Sequence, residues 1–130
     1  MSGEPLWVDA DLLLQLHEEA IALSGGAQGV RDLGLLESAL ARPPNLHAYE
    51  GVEDLVVLAA TYAAAVSANH PFIDGNKRAA FVCMGQFLAD NGMTLVADPR
   101  DAADIFLALA AGELDVERLA EWLRRNVQVA

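Results

Sequence analysis

The chain has 130 residues and a formal net charge of -11, because nineteen Asp and Glu outnumber eight Lys and Arg, so we expect no direct nucleic-acid binding. Hydrophobic residues make up 54% of it, which fits one domain over residues 1–130 and excludes a disordered chain. The N-terminal MSGEPLWVDADL lacks the pattern of a secretory signal, and no apolar run approaches the ~20 residues of a membrane span, so we expect a cytoplasmic protein without membrane contact.

The first helix is predicted to begin at a cap formed by Asp9 or Asp11 and to run to about Leu23. Glycines at 25 and 26 should stop it. The residues spaced to share its mostly apolar face are Leu12, Leu16, Glu19 and Leu23.

A second, shorter helix is predicted to begin at Asp32 and to end at Arg42-Pro43-Pro44. Proline cannot continue a helix, and it disfavours helical geometry in the residue before it. Residues 43–51 are therefore predicted to be an irregular segment ahead of the central helices.

Four further helices follow from periodicity and capping residues. They are predicted at about 52–69, 76–90 and 99–111 and from Asp115 onward. From Ala79 to Met84 the fourth helix is apolar on all sides, which is typical of a buried helix and makes Cys83 an inert, buried thiol. With no strand pattern longer than a few residues, the sequence predicts an all-α bundle of about six helices.

The segment between the third and fourth helices, His-Pro-Phe-Ile-Asp-Gly-Asn-Lys-Arg over residues 70–78, is the richest in chemistry. It delivers His70 at one helix end and begins the next helix at about Asn76, where backbone N–H groups and the positive dipole end are free. Lys77, the only lysine, and Arg78 add two cations at a helix start, where the dipole disfavours them. This combination favours a bound anion, and phosphate is the obvious candidate.

Other residues of the segment fit the same interpretation. Gly75 lets the backbone approach a ligand closely, and Asp74 offers an oxygen ligand for Mg²⁺. Phe72 is expected to anchor the loop in the core. The structural alternatives are that His70 only caps a helix, that Asp74 is an N-cap, and that the two cations are ordinary solvated charges.

A zinc-type hydrolase is a second functional interpretation of His70 and Asp74. The remaining histidines are His17, expected at the surface or rim, and His47, in the predicted irregular segment. No HxH or HExxH spacing is present, and the two cations would remain unexplained, so this interpretation is weak.

At these residues the chain resembles the Fic/Doc family, and within it the Doc (death-on-curing) toxin branch. HPFIDGNKR matches that branch's HxFx[DN][AG]NKR at every defined position, and GVRDLGLLESALARP, GQFLADNGM and EWLRRN extend the likeness over nearly the whole chain. The Fic motif HPFx[DE]GNGRxxR differs at two places, where this chain has Lys77 and Phe81. The resemblance implies the compact all-α Fic/Doc fold.

The resemblance also implies a function. Doc-type proteins are toxins of toxin-antitoxin systems that transfer the γ-phosphate of ATP to a Thr or Ser hydroxyl of a protein, with elongation factor Tu as the known target and a Phd-type antitoxin as partner. Fic proteins instead transfer AMP to hydroxyl side chains, which is the alternative activity. A non-catalytic module that binds an antitoxin or another peptide, with Trp122 as a contact, is a third hypothesis.

Carried over to this chain, the resemblance assigns His70 as general base and Asp74 as the residue that orients that step, the Mg²⁺, or both. It assigns the phosphate to Asn76, Lys77, Arg78 and the backbone after Gly75. Residues 43–51 would take the place of the family's flap, which aligns the target chain by backbone pairing.

Overall fold

A computed structural model describes residues 3–130. In this part of the chain there are six helices and one two-stranded sheet, so the predicted all-α class and the count of about six helices are confirmed. The elements are α1 Ala10–Ser24, α2 Leu33–Glu50, α3 Leu55–Asn69, α4 Asn76–Asp90, β1 Met93–Leu95, α5 Pro99–Ala110, α6 Val116–Asn126 and β2 Val127–Val129.

Helix α3 is the centre of the bundle and packs against α2, α4, α5 and α6. Its sequence LVVLAATYAAAVSAN has apolar residues on every side, and nine of its fifteen residues are buried. Small alanines let neighbouring helices approach it closely. Tyr62 at its middle is fully buried and its hydroxyl accepts a hydrogen bond from the Val8 N–H at 3.0 Å, which fastens the N-terminal segment to the core.

The prediction that residues 43–51 are irregular is wrong, because α2 continues through both prolines to Glu50 and ends at Gly51 in the left-handed conformation. Tertiary packing outweighs the two missing N–H donors: Pro43 is buried, Leu46 packs on the core, and the His47 ring meets the Trp7 ring edge-on at 5.5 Å. This segment is helical, so it does not form an extended flap.

The face predicted for α1 is also wrong. The buried residues are Leu13, His17 and Ile21, whereas Leu23 is 90% exposed. Leucines occupy 12, 13, 14 and 16, so the apolar pattern does not single out one face, and a polar residue lies at the centre of the face that is buried.

The two strands pair antiparallel, with Thr94 opposite Gln128, and they were absent from the sequence prediction. Three residues are too few to produce a readable alternation. Cys83 is fully buried, as expected, and burial raises the pKa of its thiol. Among residues 3–130, every helix is too short or too polar to cross a bilayer.

Candidate active site

A cleft of about 870 Å³ opens beside the loop between α3 and α4. All six residues predicted to carry the chemistry line it, namely His70, Asp74, Gly75, Asn76, Lys77 and Arg78. The imidazole and the two cations therefore share one cavity. Its volume lies within the range of roughly 300–1,000 Å³ that is usual for small-molecule sites.

His70 is exposed and forms the C-cap of α3. Its φ of 51° is the one left-handed backbone conformation of a non-glycine residue in the described part of the chain. Such a conformation crowds the Cβ atom; it is adopted at the ends of many helices, usually by glycine, and strained conformations of this kind in other residues cluster at functional sites. The residue whose imidazole lines the cleft therefore has a strained backbone conformation.

Asn76 is buried, and its amide is fixed by the backbone of Phe72. Its Oδ1 accepts from the Phe72 N–H at 2.8 Å, and its Nδ2 donates to the Phe72 carbonyl at 2.9 Å. Nδ2 also lies 3.2 Å from Nδ1 of His70. Because these contacts use both ends of the amide, the side chain of Asn76 orients the loop and the imidazole, and only its backbone N–H is left for a phosphate.

The N-terminus of α4 has no side-chain cap, since its N-cap residue is Gly75 at φ 74°. The other five helices each begin with an aspartate whose carboxylate accepts from backbone N–H groups. At α4 the first N–H groups and the exposed cations Lys77 and Arg78 meet at the cleft instead. This arrangement suits an anionic group, which would satisfy both the free donors and the positive charge.

Asp74 is exposed and binds backbone on both sides. Its Oδ1 accepts from the Gly75 N–H at 2.8 Å and its Oδ2 from the Ala27 N–H at 3.2 Å. It is therefore not the N-cap of α4. Each oxygen keeps a second lone pair, so one carboxylate can hold Mg²⁺ together with phosphate oxygens and water, as Mg²⁺ prefers. Within residues 3–130 no three acidic, histidine or cysteine side chains cluster into a protein-only metal site.

His17 lies beneath the loop, and its predicted surface position is wrong. It is only 3% exposed, stacks on Phe72 with ring centroids 3.8 Å apart, and donates from Nε2 to the Asp74 carbonyl at 2.8 Å. Phe72 is fully buried, as predicted. The imidazole of His17 packs in the core through its face and donates a hydrogen bond through Nε2, which explains how a histidine can occupy the buried face of α1.

Residues 25–32 run alongside the loop, and sequence reasoning missed their role. Val30 forms a β-bridge with Phe72, and the Ile73 N–H donates to the Gly29 carbonyl at 3.1 Å. Gly26 has a φ of 117°, which residues with a side chain rarely adopt, and an added Cβ atom would lie 2.8 Å from Oδ2 of Asp74, so glycine is favoured at this close approach. The glycines at 25, 26 and 29 were the available signal; they predict a helix end and a loop, but not the element that the loop contacts.

Apolar side chains from α4 and α5 form another part of the cleft lining. Phe81 and Phe106 meet edge-on with centroids 5.2 Å apart, and Val82, Ala103 and Leu107 continue the surface. Phe81 and Val82 are only half-buried because they line the cleft, so the prediction of burial on all sides does not hold for them. Sequence alone gave no reason to bring α5 to this site.

Fold and site together define a small helical domain in which an uncapped helix N-terminus and two cations lie beside a histidine in one cleft. The Fic/DOC family model matches residues 7–88, and the chain belongs to the Fic/Doc family. It is 36% identical over 118 residues to "Protein kinase doc" of Escherichia phage P1, covering 91% of this chain and 93% of that protein. It is 35% identical over 99 residues to "Toxin Doc" of Mycolicibacterium smegmatis, covering 74% of this chain and 76% of that protein.

Proposed function

We propose that this protein transfers the γ-phosphate of ATP to a Thr or Ser hydroxyl of a protein. The observation that carries the proposal is that His70, the uncapped start of α4 and the two cations line one cleft. The names of the relatives, a protein kinase and a toxin, agree with it.

The reaction needs little covalent participation by the protein. The hydroxyl oxygen attacks the γ-phosphorus, the bond from that phosphorus to the bridging oxygen breaks, and ADP leaves with the bond's electron pair. His70 takes the hydroxyl proton. The N–H groups at the start of α4, with Lys77 and Arg78, stabilise the charge on the transferring group, and positioning and electrostatics supply most of the rate.

Mg²⁺ would be held by Asp74 together with phosphate oxygens and water, and it would neutralise part of the charge on ATP. The hydrogen bonds from Ala27 and Gly75 hold the carboxylate at the edge of the cleft. The apolar surface around Phe81 and Phe106 could contact the adenine ring of ATP or the protein substrate.

The contact between Asn76 and His70 constrains how the imidazole takes up a proton. An amide nitrogen only donates, so the 3.2 Å contact is a hydrogen bond only while Nδ1 of His70 is unprotonated. The neutral ring then carries its proton on Nε2. Proton uptake at Nδ1 therefore breaks this hydrogen bond, and the ring must separate from Asn76 during the reaction.

Position 81 favours phosphoryl transfer over AMP transfer. The Fic motif has an arginine here, but in this protein Phe81 packs against Phe106 and contributes an apolar surface to the cleft. One phosphate clamp is thus absent, and Lys77 fills space that the motif glycine would leave open. AMP transfer remains the second candidate because it uses the same histidine and helix N-terminus.

We further propose that the protein acts as a toxin that inhibits translation, with elongation factor Tu as the protein substrate. Its partner would be a Phd-type antitoxin whose C-terminal segment covers the toxin. These assignments rest on the Doc relatives and on the motif shared with that branch.

The decisive experiment incubates the purified protein with elongation factor Tu and either γ-labelled or α-labelled ATP. We expect label only from γ-labelled ATP. His70→Ala should lower turnover by roughly 10²–10⁴-fold, the usual loss for a missing general base, without unfolding the domain, because the side chain is exposed.

Mass spectrometry of the modified protein identifies the adduct. Transfer from α-labelled ATP, or an adduct larger by an adenosine unit, would establish AMP transfer instead. Wild-type turnover in the His70→Ala protein would remove His70 from the mechanism. If ATP does not bind and no label is transferred in a bacterial extract, the peptide-binding module becomes the better hypothesis.

A further inference from the structure

We propose that Arg31 is a positioning residue that holds His70 in its left-handed backbone conformation and so sets the direction of the imidazole. The inference rests on the proposed function of His70. Arg31 lies outside the 70–78 motif and outside the residues that line the cleft.

Arg31 donates to three consecutive carbonyl groups at the end of α3. Its Nη2 reaches the Asn69 carbonyl at 3.0 Å, its Nε reaches the His70 carbonyl at 2.8 Å, and its backbone N–H reaches the Pro71 carbonyl at 2.7 Å. The last carbonyls of a helix have no partner within the helix and carry its negative dipole end. A guanidinium supplies both the donors and the positive charge that these groups need.

His70 needs this support because its φ of 51° is unfavourable for a residue with a Cβ atom. The favourable alternatives for the backbone at this position would turn the carbonyl of His70 away from Arg31 and point the imidazole elsewhere. In the left-handed conformation seen here, Arg31 forms all three hydrogen bonds together. They therefore oppose relaxation of the backbone.

The position of Arg31 is itself fixed by its two neighbours. Val30 pairs with the fully buried Phe72, and the carboxylate of Asp32 caps α2 by accepting from the Leu35 N–H at 3.0 Å. The contacts of Val30 and Asp32 thus fix the backbone from which the Arg31 side chain extends. Lysine would not replace it fully, because a single ammonium lacks the planar fork that reaches two carbonyls at once.

This support bears on turnover more than on folding. The side chain of Arg31 is exposed, so its removal opens no core cavity. A displacement of about 1 Å at a catalytic group, however, can cost on the order of 10²-fold in rate. We therefore expect a loss in kcat without a matching loss in ATP binding.

The test compares Arg31→Ala, Arg31→Gln and Arg31→Lys with the wild-type protein. The matched control is Arg118→Ala, because the Arg118 guanidinium is exposed and makes no hydrogen bond or ion pair within residues 3–130. We expect Arg31→Ala to lower kcat by about 10–100-fold with the KM for ATP changed less than about threefold. Lysine should restore part of the rate, glutamine less, and Arg118→Ala should behave as wild type.

The second readout is the NMR spectrum of His70, which does not require activity. Its Cα and Hα shifts depend on φ and ψ, and its ring shifts depend on the surroundings of the imidazole. Both should move in Arg31→Ala and stay in place in Arg118→Ala. Unchanged His70 shifts, or a kcat that falls no further than in Arg118→Ala, would overturn the proposal. A wild-type protein that transfers no phosphate would instead refute the proposed function, and the NMR comparison would still test Arg31.

Discussion

Two residues with positive φ, His70 and Gly75, bound the loop that presents the candidate chemistry. Residue types alone predicted the imidazole, the free helix N-terminus and the two cations. They did not predict that the side-chain amide of Asn76 would contact Phe72 and His70, or that buried His17 would hydrogen-bond to the loop at the Asp74 carbonyl. Such contacts depend on geometry across 4 to 57 residues of chain, which a pattern of residue types does not encode.

Gly75 allows a test of the loop at this scale. An added Cβ would lie 2.6 Å from Cδ1 of Ile21 and 3.4 Å from Nε2 of His17, at a φ of 74° that residues with a side chain rarely adopt. We expect Gly75→Ala to lower the free energy of unfolding by about 2–3 kcal/mol and to impair phosphate binding. Urea unfolding measures the first effect and isothermal titration with ATP the second.

Gly85 is the matched control for this change. It lies within α4, and a Cβ there would meet nothing within 4 Å. Gly85→Ala should raise the free energy of unfolding by roughly 0.5–1 kcal/mol, the usual gain in a helix interior. Equal stabilities for the two alanine variants would refute the steric account of Gly75.

At the level of the helices, capping residues predicted the starts of α5 and α6, whereas the cap of α3, Asp54, was not predicted and that helix begins at Leu55 instead of at about residue 52. Asp98 and Asp115 begin α5 and α6, and α4 spans Asn76–Asp90 as expected. The largest error was in α2, where Pro43 and Pro44 correctly indicated the loss of two N–H donors but not the packing that compensates for it. The local preferences of residues predict the ends of a helix well when tertiary packing does not favour another end. They predict them poorly when burial of a residue such as Pro43 favours continuing the helix.

Pro44→Ala should therefore stabilise the protein. The alanine regains an N–H that can donate to the Leu40 carbonyl, four residues earlier, and removes the ring from the helix interior. We expect a gain of about 2 kcal/mol in the free energy of unfolding, somewhat below the full interior penalty because proline also restricts the unfolded chain. Thermal and urea unfolding measure this gain.

Pro99 is the control, since it occupies the first turn of α5, where no N–H is required. Pro99→Ala should change stability by less than about 1 kcal/mol. A destabilised Pro44→Ala protein would mean that its ring contributes more to packing than the missing hydrogen bond costs.

Across the whole molecule, the cleft depends on elements that lie far apart in sequence. The end of α1, the motif loop and α5 meet there. Periodicity identified the helices but contains no information on which of their faces meet, so the apolar wall of α5 could not be predicted. The mostly buried position of α4, by contrast, followed from its apolar character on most sides, whereas the central position of α3 was not predicted.

The buried core also predicts how stability depends on alkaline pH. Burial raises the pKa of both Cys83 and Tyr62 above their ordinary values of 9.0 and 10.0. Below pH 9 both groups are neutral in the folded and unfolded chain. Above it the unfolded chain releases protons that the folded chain keeps, so the free energy of unfolding should fall by about 1.4 kcal/mol per pH unit, and about twice that above pH 10.

Urea unfolding between pH 7 and 10.5 measures this slope. In Cys83→Ala the decline between pH 9 and 10 should disappear, whereas the steeper part above pH 10 should keep the contribution of Tyr62. The same slope in both proteins would show that groups other than Cys83 control alkaline stability.

The left-handed backbone at position 70 has a consequence for selection. A sequence selected for folding alone would carry glycine there, or asparagine, which accept this geometry more easily than histidine does. Under the proposed function, the imidazole of His70 contributes activity at some cost in stability. When selection on activity is relaxed, we expect substitutions of His70 by glycine or asparagine, which would give a more stable but inactive protein.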